Sequence, residues 1–118
     1  GVTMNLFKKK LEKDAAGFYT AVPATDLPND QMISVDLNGT KVILVRWQGA
    51  LHAVSSICPH AAADLSGGEF YRGKLECPDH GYCFDVRTGR TLWPEDEMVR
   101  LKRYTAKEED GQIKVKVD

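Results

Sequence analysis

The sequence lacks an excess of charge of either sign. Its 118 residues carry 16 Lys and Arg against 17 Asp and Glu, a net charge of -1. The clustered basic surplus of a nucleic-acid binder or a polybasic membrane binder is therefore missing. A long apolar run is missing too. The longest, Val42-Ile43-Leu44-Val45, is far short of the roughly 20 residues that cross a bilayer. No charged-then-apolar signal segment opens the chain, which makes the cytoplasm the expected compartment. No Gly-x-Gly-x-x-Gly nucleotide fingerprint occurs. Repeats and Ser/Gly linkers are absent, and the length suits one domain able to bury its own core. Cysteine is scarce and odd in number, with three Cys (58, 77, 83) beside three His (52, 60, 80). That is a poor disulfide framework and points to metal or thiol chemistry.

Most of the chain reads as strands. Phe18–Val22 is aromatic and β-branched. The segment Thr25-Asp26-Leu27-Pro28 reads as a turn or a short helical turn capped by Thr25. Met32–Leu37 and Thr40–Trp47 flank Asn38-Gly39, a strong hairpin signal, and Gln48-Gly49 turns the chain into Leu51–Val54. Val99–Ala106 turns at Asp110-Gly111 into Ile113–Val117, whose apolar residues alternate with Lys114, Lys116 and Asp118. This pattern predicts an all-β antiparallel sandwich or barrel-like fold. Residues 1–17 form a separate extension. Leu6, Phe7, Leu11 and Ala15 lie at loosely helical spacing, Lys8 and Glu12 are set to pair, and Gly17 suits a cap. Gly1-Val2-Thr3 reads as a remnant ahead of a natural start at Met4. The stretch from about 57 to 94 is rich in Gly and Pro and breaks the strand rhythm, as functional segments do.

That stretch holds Cys58-Pro59-His60 and, beyond residues 61–76, Cys77-Pro78-Asp79-His80. Each loop offers one thiolate and one imidazole, with a Pro directly after the Cys that sets φ and removes a backbone donor. This donor set suits zinc or iron–sulfur iron. Zinc pairs are usually two to four residues apart, and one intervening residue is better matched to a binuclear cluster. There each loop sends its Cys to one iron and its His to the other. A zinc site, or buried thiols and hydrogen-bonded imidazoles with no metal, are the alternatives.

Cys58-Pro59-His60, Leu65, Gly68, Cys77-Pro78-Asp79-His80-Gly81-Tyr82-Cys83-Phe84-Asp85 and Thr88-Gly89 together resemble the signature of Rieske [2Fe–2S] ferredoxins. The likeness runs from about Phe18 to Val117. It implies a Rieske-type sandwich over residues 18–118 with a small cluster-binding subdomain of two loops, about 57–94, inserted in the β base. Cys58 and Cys77 would hold the inner iron, and His60 and His80 the outer iron through Nδ1, near the surface of the tip. Trp93-Pro94 matches the family's third, shielding loop. Cys83 is expected to be a small buried hydrophobe and His52 a packed or surface histidine, neither with a function.

Two imidazoles in place of two thiolates leave a cluster less negative, so Rieske potentials run from roughly -150 to +300 mV. High-potential Rieske proteins of cytochrome complexes resemble Cys-Pro-Cys-His-Gly-Ser-x-Tyr in the second loop, where Ser and Tyr hydroxyls donate to cluster sulfurs. Here those places are Tyr82 and Phe84, and the extra cysteine pair is replaced by Ala63 and Asp79. The expected potential is therefore low, on the order of -150 mV. The resemblance implies a soluble one-electron carrier, not itself an enzyme, working between an NAD(P)H-dependent flavin reductase and a terminal oxygenase or other iron enzyme. Asp79, with Asp64, Glu69 and Glu76, suggests an acidic docking rim partly offset by Arg72 and Lys74. Lys8-Lys9-Lys10 is either a solvated face or a docking arm. The competing readings are a Rieske-like small subunit of assimilatory nitrite reductase, a redox-sensing module, and a detached oxygenase domain.

Overall fold

A computed structural model describes residues 10–60 and 62–118 of the chain. Two antiparallel sheets make up the fold. The larger is built from β1 (Tyr19–Pro23), β2 (Gln31–Leu37), β3 (Thr40–Trp47), β4 (Ala50–Ser55), β9 (Arg103–Glu109) and β10 (Gln112–Lys116). Its order is β1-β10-β9-β4-β3-β2, and its edge strands β1 and β2 come together, so the sheet curls toward closure. The smaller sheet, β5-β6-β7-β8, consists of Glu69–Tyr71, Lys74–Glu76, Cys83–Asp85 and Thr91–Trp93. The all-β expectation holds.

The apolar run noted in the sequence explains how the two sheets join. Residues 42–45 of β3 are all fully buried, which alternation alone forbids for a strand with one wet face. Val42 and Leu44 point into the curled base, beside Leu37, Ala53, Ile113 and Val115. Ile43 and Val45 point outward, against Leu65, Leu75, Phe84 and Val86 of the inserted segment. β3 is thus a wall shared by two cores. The insert is held by burial, at roughly 25 cal/mol per Å² of apolar surface.

Three expectations change. Residues 57–94 are less irregular than they read, because they contain a whole sheet of three-residue strands. Strands so short show no alternation to detect. The described part of the N-terminal extension is not helical. Asp14 Oδ1 accepts from the N–H groups of Ala16 and Phe18 at 2.9 Å, making a turn that ends at Gly17 with φ +91°. Leu11 exchanges two hydrogen bonds with the Asn38 side chain, which ties the extension to the β2–β3 hairpin. Leu6, Phe7 and Lys8–Lys10 apart from Lys10 lie outside the described residues. Finally, Thr25 lies inside the 3-10 turn Ala24–Asp26, whose N-cap is Pro23. No helix among the described residues is long and apolar enough to cross a membrane.

Candidate metal centre

The two loops that carry the predicted ligands share one backbone plan. The first closes the antiparallel bridge between Ile57 and Asp64, and the second closes the terminal β6–β7 pair, Glu76 and Cys83. In the first, Cys58 N–H donates to Ala63 O at 2.9 Å, and Ala62 N–H to Cys58 O at 3.1 Å. In the second, Cys77 N–H donates to Tyr82 O at 2.7 Å, and Gly81 N–H to Cys77 O at 3.2 Å. The residue four past each Cys has positive φ, +53° at Ala62 and +73° at Gly81. Both cysteines are 1% exposed, among Leu65, Leu75 and Phe84.

Close approach of the loops depends on Gly68. A Cβ there would stand 1.8 Å from Glu76 O and 3.2 Å from Pro78 Cδ, so only glycine lets the first loop's return strand press on the second loop. Asp64 locks the first loop from within. Its carboxylate accepts from Ser56 Oγ in a short bond, from Ser66 N–H at 2.9 Å and from Ser66 Oγ at 2.7 Å. The Ser56 hydroxyl, followed by Ser66, holds this carboxyl below the usual carboxylate range. Asp64 is thus committed to hydrogen bonds within its own loop, whereas Glu69, Glu76 and Asp79 are exposed.

The two histidines have different surroundings. His80 is exposed. The His60 side chain is only 11% exposed. Its imidazole stacks on the Tyr82 ring, centroids 3.9 Å apart and planes at 29°, with Phe84 behind at 5.9 Å. Glu97 Oε1 lies 3.2 Å from His60 Nε2, close enough to attract but out of line for a hydrogen bond. His60 Nδ1 is buried with no hydrogen-bond partner. The third loop completes the cover, since the Trp93 ring stands 6.3 Å from that of Tyr82. Expectation placed both histidines near the surface; His60 departs from it because Tyr82, Phe84 and Glu97 close over its ring.

These residues fit an iron–sulfur cluster. A buried imidazole nitrogen without a partner costs free energy unless a ligand takes it, and the two buried thiols are soft donors. Among the described residues no three or more His, Cys, Asp or Glu side chains are drawn together as a metal-holding group, so the fit of the four predicted ligands rests on their donor chemistry and on the burial of the two thiols and the His60 nitrogens. A binuclear cluster asks for two protein ligands per iron.

The family model for the Rieske [2Fe-2S] domain matches residues 17–105. The chain belongs to the Rieske [2Fe-2S] family. Its cofactor is a Rieske-type [2Fe–2S] cluster. Among relatives, the ferredoxin component of the alkene monooxygenase system of Xanthobacter autotrophicus is 31% identical, covering 93% of this chain and 89% of that protein. Apoptosis-inducing factor 3 of Mus musculus is 44% identical over 70 residues, 59% of this chain. The match spans only 12% of that protein's length. Among solved Rieske structures, the ferredoxin of carbazole 1,9a-dioxygenase from Nocardioides aromaticivorans IC177 superposes with TM-score 0.75 at 28% identity, covering 84% of this chain and 96% of that one. A chain in a complex of reduced oxygenase and oxidized ferredoxin in carbazole 1,9a-dioxygenase gives TM-score 0.77 at 25% identity, covering 85% and 93%.

Two other residues differ from expectation or stay outside the site. Cys83 is half-buried on the outer face of the small sheet, in register with Glu76 and Trp93. Burial pushes its thiol up, which keeps it a poor nucleophile. His52 lies in β4 with Nε2 buried and unpartnered, and burial lowers its pKa. Sequence reasoning missed Glu97 and the Ser56–Asp64 lock. Nothing local marks either, since each works through a partner brought close by the fold.

Proposed function

We propose that this chain is a mobile electron carrier whose cluster is held by Cys58 and Cys77 on one iron and His60 and His80 on the other. When bound, the cluster supplies reversible uptake and release of one electron. The carrying observation is the pair of matched loops with two buried thiols, the first loop also bearing an imidazole whose Nδ1 is buried and unpartnered. The protein's own residues do the rest. Leu65, Leu75 and Phe84 exclude water from the thiols, and Tyr82 and Phe84 hold the His60 ring in place. His80 is the exit for the electron, since it is exposed whereas His60 is covered. The acceptor is a terminal oxygenase, as the names of the alkene monooxygenase and carbazole dioxygenase relatives support, and the donor is an NAD(P)H-dependent flavin reductase, expected from the one-electron chemistry alone. The carrier works in the cytoplasm. Residues 18–118 form the Rieske domain, with 57–94 its cluster subdomain and 1–17 an extension.

The identity with a segment of apoptosis-inducing factor 3 favours a second reading, a Rieske module that delivers electrons within a larger protein. The mass of the native gene product separates the two.

The ligand set is tested with purified protein. Wild type is expected to be coloured and, after dithionite, to give the electron paramagnetic resonance signal of a cluster with mixed Cys and His ligation. Cys58→Ser, Cys77→Ser, His60→Ala and His80→Ala should each abolish it. A colourless, iron-free wild type, or a variant with an unchanged signal, refutes the assignment. Reduction by NADH through a flavin ferredoxin reductase, followed by transfer to an oxygenase of these systems, tests the carrier role.

A further inference from the structure

We propose that Glu97 is a positioning residue for the cluster, orienting His60 from its outer edge and holding the reduction potential low. This rests on the reading of His60 as an iron ligand through Nδ1. Glu97 is itself held in place. Its Oε2 accepts from the backbone N–H groups of Met98 at 3.0 Å and Val99 at 3.3 Å, which leaves Oε1 facing His60 Nε2 at 3.2 Å. The imidazole cannot swing away freely, because Tyr82 is stacked on its face at 3.9 Å.

An imidazole that gives Nδ1 to a metal keeps its proton on Nε2 and needs an acceptor there, which for metal-bound histidines is commonly a carboxylate. His60 Nε2 is buried, with no hydrogen-bond partner as it stands. The nearby Glu97 oxygen is the acceptor at hand. Its negative charge sits against the ligand through which the outer iron is reached. Added electron density there is repelled, so the oxidised form is favoured and the potential falls. His80, in water, has its outer edge solvated. The third loop is also held by hydrogen bonds that do not involve the carboxylate. Thr91 Oγ1 donates to Val99 O at 2.5 Å, Glu97 N–H to Pro94 O at 3.2 Å, and Leu101 N–H to Gly89 O at 2.7 Å.

The test uses holoprotein variants Glu97→Gln, Glu97→Asp and Glu95→Gln. The last removes one exposed charge from the same loop and controls for general electrostatics. Each is read by its reduced electron paramagnetic resonance spectrum and its midpoint potential. Glu97→Gln should keep the mixed-ligand signal and raise the potential by a tenfold change in the one-electron equilibrium, which is 59 mV. Glu97→Asp should recover part of that shift, and Glu95→Gln should move it far less. A Glu97→Gln shift no larger than that of Glu95→Gln overturns the proposal. If Glu97→Gln loses its cluster, the Glu97→Asp potential decides by the same comparison. A wild type without the mixed-ligand signal overturns the ligand assignment itself, and with it this role.

Discussion

The loops around Cys58 and Cys77 close antiparallel pairs with the same two backbone hydrogen bonds and a left-handed residue at the same position, yet they differ in the side chains that hold them. The first loop uses Ala at the left-handed position and ties its return strand down through Asp64, Ser56 and Ser66. The second uses Gly there, and in the place corresponding to Asp64 it has Cys83, a neutral, half-buried thiol. The histidines diverge accordingly, one packed beneath Tyr82 and Glu97 and the other in water. Symmetry of the backbone thus gives each loop the same frame for its Cys and His, while asymmetry of the side chains leaves one histidine covered and the other exposed. In the carrier proposed above, the exposed histidine would meet the partner and the covered one would tune the potential.

The largest change should come from removing the floor common to both loops. Phe84 is fully buried beneath Leu65 and Leu75 and stacks behind His60. Phe84→Ala should cost about 4 kcal/mol, read as a lower urea midpoint together with cluster loss. Next is Gly68→Ala, which drives a methyl group into the Glu76 carbonyl and should cost roughly 3 kcal/mol. An unchanged midpoint would mean that the loops are not held together at this point.

The left-handed positions give a smaller, paired effect. Gly81→Ala has room, since its Cβ would lie 3.7 Å from Glu76 Oε2. The loss is therefore one of backbone conformation alone, about 1 kcal/mol. Ala62→Gly should cost less than that or stabilise, because Ala already stands in the strained region there. Equal and opposite shifts in denaturation midpoint would show that the loops are energetically as well as geometrically alike.

The smallest effect expected is on acid stability. The Asp64 carboxyl lies below its ordinary value of 3.8 in the folded protein, chiefly through Ser56. Its contribution is thus fully present above that value and is lost as pH falls through the lower folded value. Asp64→Asn should flatten the stability profile in that acid window, measured by thermal melting across pH. Cys83→Ala should leave the same window unchanged, since the second loop has no carboxylate in that place.

Much of the base was readable from its residues. The strands Thr40–Trp47 and Gln31–Leu37 announce themselves through length, β-branched residues and the Asn38-Gly39 turn, whose two residues take positive φ as such a hairpin needs. The small sheet was not readable, because three-residue strands offer no period, and the turn at Arg72-Gly73 was masked by a charged residue at a left-handed position. A helix suggested by Leu11 and Ala15 yielded to the stronger local claim of the Asp14 carboxylate on two N–H groups.

By itself, the sequence determined the chemistry of this protein. Cys58-Pro59-His60 and Cys77-Pro78-Asp79-His80 carry the donor types, and such local spacing survives any arrangement of the rest of the chain. Only the tertiary structure decided how unlike the two histidines are. Glu97 and Tyr82 reach His60 from segments distant in sequence, and β3 supports the site only because both of its faces are buried. Burial, and the charge set beside an imidazole, are properties of packing, and no motif encodes them.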